Sequence, residues 1–182
     1  MSEYGFTLEI CTDEDTDSPR DWCNTGTMVC WHSRYILGDL QPREEPIKWL
    51  VGLLVQEGLL AQEELDVEPD LSMDELLELA KERFVILPLY LYEHGGITMR
   101  TESFGALWDA GQVGWIYARK GAANLEELLQ VEVKTYDQYL TGDVWFFCMM
   151  DTGGEIIEAL GGIYGRDALR EEVTRAISDY IS

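Results

Sequence analysis

The side chains with the strongest chemical potential in this 182-residue chain are two histidines, four cysteines and 35 carboxylates. Cys11, Cys23, Cys30 and Cys148 show no CxxC spacing, so they read first as reduced thiols packed in a core. Cys23, Cys30 and His32 are zinc-type donors. A structural site takes four ligands, however, and Cys11, Cys148 and His94 stand far apart in sequence, so no metal is expected. His32 with Cys30 or Cys148 has the residue types of a base and a thiol nucleophile, although nothing in their spacing requires the pairing. His94 directly precedes Gly95-Gly96 and reads as a turn residue without a nucleophile beside it. GxSxG, HExxH and phosphate-loop patterns are missing, and Gly111-Gln112-Val113-Gly114 lacks the third glycine and following helix of a dinucleotide fingerprint. The expectation is a protein that is not an enzyme and uses no cofactor; a small Cys/His enzyme is the alternative.

The carboxylates carry the larger signal. Against 13 Lys and Arg they leave a net charge of -22 and a pI near 4.2. Such a surface repels nucleic acid and anionic membranes and attracts basic grooves, including those in which other proteins hold DNA or RNA. Direct nucleic-acid binding and membrane contact are therefore not expected; a basic protein partner is. Two clusters are the candidate partner-binding residues. The first is Asp13, Glu14, Asp15 and Asp17, which lacks the glycine and terminal glutamate of a calcium loop. The second runs through Glu63, Glu64, Asp66, Glu68, Asp70, Asp74, Glu75 and Glu78, and on to Glu82, with Lys81 the only cation between Gln62 and Glu82. Asp74 and Glu78 are spaced i,i+4 and share a helix face. The bland alternative for both clusters is a solvated face.

These clusters need a folded body to carry them, and 46% hydrophobic and 11% aromatic content supplies one. Tyr4, Phe6, Leu8 and Ile10 alternate as on a half-buried strand, and a second apolar run covers Met28 to Trp31. Apolar spacing from about Glu44 to Leu65 predicts a helix interrupted near Gly58. Ser72 and Glu75 form a capping-box pattern, with Leu71 and Leu76 as its staple. Phe84 to Tyr92, Gly95-Gly96 and Ile97 to Met99 predict a hairpin, and Val113 to Ala118 a further strand. Asn124 and Glu127 mark another helix start, with Leu125, Leu128, Leu129 and Val133 inward. Asp143 to Met150, Asp151-Thr152-Gly153-Gly154 and Ile156 to Leu160 predict a second hairpin, and Asp167 to Ile181 a closing helix. The expected fold is α+β: a single domain over 1–182, an antiparallel sheet built from hairpins, helices on one face, and an acidic helical segment at about 44–83. No apolar run reaches the ~18 residues of a membrane span, and Met1-Ser2-Glu3 does not open a signal peptide, so a cytoplasmic location is expected.

Four stretches carry a resemblance: Gly26-Thr27-Met28-Val29-Cys30-Trp31-His32-Ser33-Arg34-Tyr35 with Leu37-Gly38-Asp39; Pro88 to Tyr92 with His94-Gly95-Gly96-Ile97-Thr98; Gly111 to Tyr117; and Tyr136-Asp137-Gln138-Tyr139-Leu140-Thr141-Gly142-Asp143-Val144. Together they resemble a family carried by phages and mobile elements that includes a type II-A anti-CRISPR protein, an inhibitor of Cas9. Cys23 and Ile36 depart from the polar residues expected around the first stretch. The resemblance implies non-enzymatic inhibition, by direct binding, of a Cas9-type effector protein with its guide RNA in a bacterial host cell. An effector of that kind holds its heteroduplex in a positively charged channel, which an acidic globule complements. The stretches themselves read as strands, turns and core, which leaves recognition to the acidic segments outside them. The competing expectation is an acidic interaction module or DNA mimic directed at another nucleic-acid-handling enzyme.

Overall fold

Short-range signals set most of the elements, and seven strands and four helices form in the computed structural model, which describes residues 5–65 and 70–182. Tyr4 of the predicted first strand, and Asp66 and Glu68 of the acidic segment, lie outside the described residues. The strands pair antiparallel, as the sequence predicts for an α+β fold, and they form two sheets. The chain divides into two compact units: Met1–Trp22 with Lys134–Ser182, and Cys23–Val133.

In the Cys23–Val133 unit the sheet order is β2-β5-β3-β4, with β2 at Thr27–Cys30, β3 at Phe84–Glu93, β4 at Ile97–Arg100 and β5 at Ala110–Arg119. The predicted β3–β4 hairpin closes between Glu93 and Ile97, with Gly95 at φ +72°, where a side chain would be strained. β4 covers only Tyr90–Glu93, so Pro88 sits in the part of β3 without a second neighbour, where proline is tolerated. Helix α1, Pro46–Gln56, ends before Gly58, which takes φ +68°; the sequence predicts an interruption there, but only the short 3-10 turn Gln62–Leu65 follows instead of a resumed helix. The Gly58 N–H reaches the Val55 carbonyl at 3.0 Å, and Leu59 N–H reaches that of Leu54 at 2.9 Å. These two bonds satisfy carbonyls the helix end would otherwise leave open. Leu50, Val51 and Leu54 of α1 pack with Leu76 and Ala80 of α2, Met73–Ala80. Trp49 joins this layer to the sheet, against Trp31 at 5.6 Å and Trp115 at 6.3 Å between ring centroids.

The predicted capping box starts α2. Glu75 N–H donates to Ser72 Oγ at 3.4 Å, the Glu75 carboxylate accepts from Ser72 N–H at 2.8 Å, and Leu71 packs beside Leu76. Replacing Ser72 by alanine removes one half of this exchange, and a loss of about 1 kcal/mol in urea unfolding is expected.

In the other unit the order is β1-β6-β7: β1 at Phe6–Thr12, β6 at Val144–Asp151 and β7 at Ile156–Tyr164. The closing helix α4, Arg166–Ile181, sets Leu169 and Ala176 against Phe147, Met149 and Ile163. Helix α3, Leu125–Thr141, has residues in both units.

Three expectations are corrected. Leu128 is exposed, because Leu125, Leu129 and Val133 form a strict i,i+4 stripe that leaves it at the margin. Ile10 is also largely exposed, on a strand at the edge of its sheet. Of the four thiols, only Cys30 and Cys148 are buried; Cys11 takes the opposite face of β1 from Phe6 and Leu8, and Cys23 is exposed. Among the described residues, no helix is long and apolar enough to cross a membrane.

Candidate acidic docking surface

The short helix α2 sorts its residues by face. Leu76 and Ala80 point into the core, Met73 and Leu77 pack toward the sheet, and Asp74, Glu75 and Glu78 are left to solvent. On that outer side a shallow groove of about 470 Å³ is lined by Leu71, Leu79, Asp74, Glu75, Glu78 and Glu82. Two leucines therefore form an apolar floor between four carboxylates. That chemistry suits a basic side chain whose methylene stem lies on the floor while its charged head meets the rim.

The carboxylates of this surface differ in freedom. Glu75 is committed to the cap: hydrogen bonds first from the Ser72 backbone and then from its hydroxyl hold its carboxyl below the usual range. It holds its charge to lower pH than an uncapped glutamate, and the cap fixes its geometry. Glu78 meets Lys81 at 2.6 Å, on a pair exposed to solvent and so worth little. Among the described residues, no cation stands within ion-pair distance of Glu63, Glu64, Asp70 or Asp74. Glu63 and Glu64 lie on the single 3-10 turn Gln62–Leu65, just before the residues that include Asp66 and Glu68.

The second predicted cluster belongs to the other unit. Asp13 is half-buried and works as a fastener: its carboxylate accepts from Gly162 N–H at 2.8 Å, and its own N–H donates to the Val144 carbonyl at 2.9 Å. Tyr164 donates its hydroxyl to the Asp17 carbonyl at 2.8 Å. Glu14, Asp15 and Asp17 project to solvent. Among the described residues no three His, Cys, Asp or Glu side chains converge as metal ligands.

Burial first, and then Tyr139, Asp13 and Asp17 nearby, push the Tyr164 phenol up to about 12. A phenol whose pKa is raised by folding contributes stability that is complete below its ordinary value of 10.0 and is lost as pH rises toward the folded value. The melting temperature is thus expected to fall between roughly pH 10 and 12, and to fall less steeply in Tyr164→Phe, as followed by circular dichroism.

Sequence reasoning missed a further assembly. Three of the resemblance stretches meet at one cleft of about 760 Å³ in the Cys23–Val133 unit: Arg34 and Tyr35 from the first, Leu91, Gly95 and Gly96 from the second, Gly111 and Val113 from the third. Glu93, at the end of β3, contacts His32 Nε2 at 3.0 Å and also pairs with Arg34. His32 Nδ1 accepts from the backbone N–H groups of Arg34 and Tyr35 at 3.2 and 3.1 Å, which assigns the ring proton to Nε2. Both His32 nitrogens are engaged, and Cys30 is fully buried. The His32–Glu93 contact joins residues 61 apart, and only the pairing of strands could reveal it.

No family model, no curated protein and no solved structure matches the chain.

Proposed function

We propose that this chain is an anti-defence protein that binds a guide-loaded, Cas9-type nuclease through its acidic surface and blocks DNA engagement or cleavage, with no catalysis of its own. The observation that carries the reading is the outer side of α2, where Asp74 and Glu78 stand beside an apolar floor, with exposed Asp70 just before the helix; among the described residues Lys81 pairs with Glu78, and no cation stands within ion-pair distance of Asp70 or Asp74. The resemblance of the four stretches gives the partner its class, and the net charge of -22 gives the encounter its direction. Carboxylates on successive helical turns stand about 5 to 6 Å apart, a spacing comparable to that of phosphates along a strand. A cationic channel built for a nucleic-acid backbone can therefore receive them. Like charges at this spacing cost the free protein a few tenths of a kcal/mol per pair, a strain relieved on docking. Its place of action in this reading is the cytoplasm of a bacterial host.

The test is a cleavage assay run beside a DNA-binding assay, with purified nuclease, guide RNA and this protein. Loss of cutting is expected. Loss of binding as well assigns the block to DNA engagement, while retained binding assigns it to the later step. Undiminished cutting in a large excess of the protein would overturn the assignment to Cas9-type enzymes. A competing target, another nucleic-acid-handling enzyme met through the same acidic surface, would then be sought by capture on the immobilised chain.

A further inference from the structure

The cleft that gathers Arg34, Tyr35, Glu93, Trp108, Asp109 and Gly111 contains the Asp109 carboxylate, to which no donor among the described residues makes a direct hydrogen bond. Glu93 is spoken for by His32 and Arg34. The Asp109 side chain is only 19% exposed, yet His94 Nδ1 stands 3.8 Å away, beyond hydrogen-bond distance, on a histidine that itself faces solvent. A carboxylate so covered has lost much of its water without a compensating bond, and it gains strongly from a charged donor that arrives in the cleft. Beside it the Trp108 indole is 89% exposed, and Tyr35 is partly so. An open aromatic face next to a carboxylate is the setting in which a planar guanidinium makes both a cation–π contact and a charge-assisted hydrogen bond.

The lining is also open by composition at two glycines. A β-carbon built on Gly96 or Gly111 would meet no atom of the protein, and neither backbone takes the positive φ that would demand glycine. Their missing side chains leave space that no described residue fills. Ile36 and Leu107, chain neighbours of lining residues, are also exposed large apolar groups. Exposed apolar side chains on both segments, Tyr35-Ile36 and Leu107-Trp108, suit contact with another macromolecule, and the acidic balance of the chain selects a basic one.

We infer that this cleft takes the guanidinium of an arginine side chain carried by a protein partner, with Asp109 as its hydrogen-bond acceptor and Trp108 as its stacking face. The inference does not depend on which effector the acidic surface meets. It is tested on the full chain, labelled with nitrogen-15, by following the indole Nε1–H resonance of Trp108. The probes are N-acetyl-arginine methylamide, its citrulline counterpart, free methylguanidinium, and a short peptide with one arginine between apolar residues. Saturable shifts are expected with the arginine amide and not with citrulline. Asp109→Asn should weaken binding about tenfold, the scale of one charge-assisted contact. Gly111→Leu should abolish it while the rest of the spectrum keeps its folded dispersion, a second variant that leaves Asp109 in place. The peptide should bind more tightly than methylguanidinium. An equal response to citrulline, or affinity unchanged in both variants, would overturn the site; equal affinity for peptide and methylguanidinium would overturn its assignment to a protein partner.

Discussion

Replacing Asp70, Asp74 and Glu78 together by lysine is expected to weaken the proposed complex with a guide-loaded nuclease by about 100-fold, since each change swaps attraction for repulsion against a cationic surface. These three are chosen because they face solvent and Glu75 does not share their freedom. Its carboxylate holds Ser72, and changing it would confound recognition with loss of the helix start. Lysine at position 74 falls in the first turn of α2, where the helix dipole disfavours it by a few tenths of a kcal/mol, and lysine at 78 faces Lys81 one turn away. Both penalties are small beside the expected loss, and an unfolding curve of the variant separates them from it. The residual complex should also respond less to salt. Unchanged inhibition by the triple variant would remove α2 from the mechanism.

The second large effect concerns the frame on which the cleft and α2 rest. Gly114 of β5 lies opposite Cys30 of β2, and a β-carbon at that position would collide with the Val29 carbonyl. Neither neighbour has room to give, since Val29 and Cys30 are completely buried. Gly114→Val is therefore expected to cost about 4 kcal/mol or more, at the extreme of single-residue effects. The matched control is Gly111→Ala on the same strand, where the added carbon meets nothing and a change within about 1 kcal/mol is expected. Equal stability of the two variants in urea would contradict the pairing of β2 with β5.

The elements legible in the sequence are those whose causes are local. The capping box at Ser72 and the β3–β4 turn at Gly95 each depend on residues within one turn of chain and form where predicted, while Gly58, read as an interruption, marks the end of α1. Sheet partnership has no such local cause. β1 pairs with β6 from the far end of the chain, Phe6 against Asp151, and nothing near either strand announces it. The division of the strands into two sheets was hidden for that reason. Helical spacing misplaced Leu128 because it sits one residue before the buried Leu129, and period alone does not give the width of the covered stripe. The acidic side of α2 was visible because charge and i,i+4 spacing are both local. The cleft was not: Arg34, Glu93 and Asp109 come from three separate segments that only the order β2-β5-β3 brings together. Four glycine-rich and aromatic stretches read as framework, yet three of them line that cleft.

The most direct measurement of the central claim is the dissociation constant of this chain with the purified, guide-loaded nuclease across a salt series, from below to well above physiological ionic strength. Exposed carboxylates docked on a cationic channel predict affinity that falls steeply and continuously as salt screens the encounter. A complex of constant affinity across that series, or no complex at low salt, would contradict it.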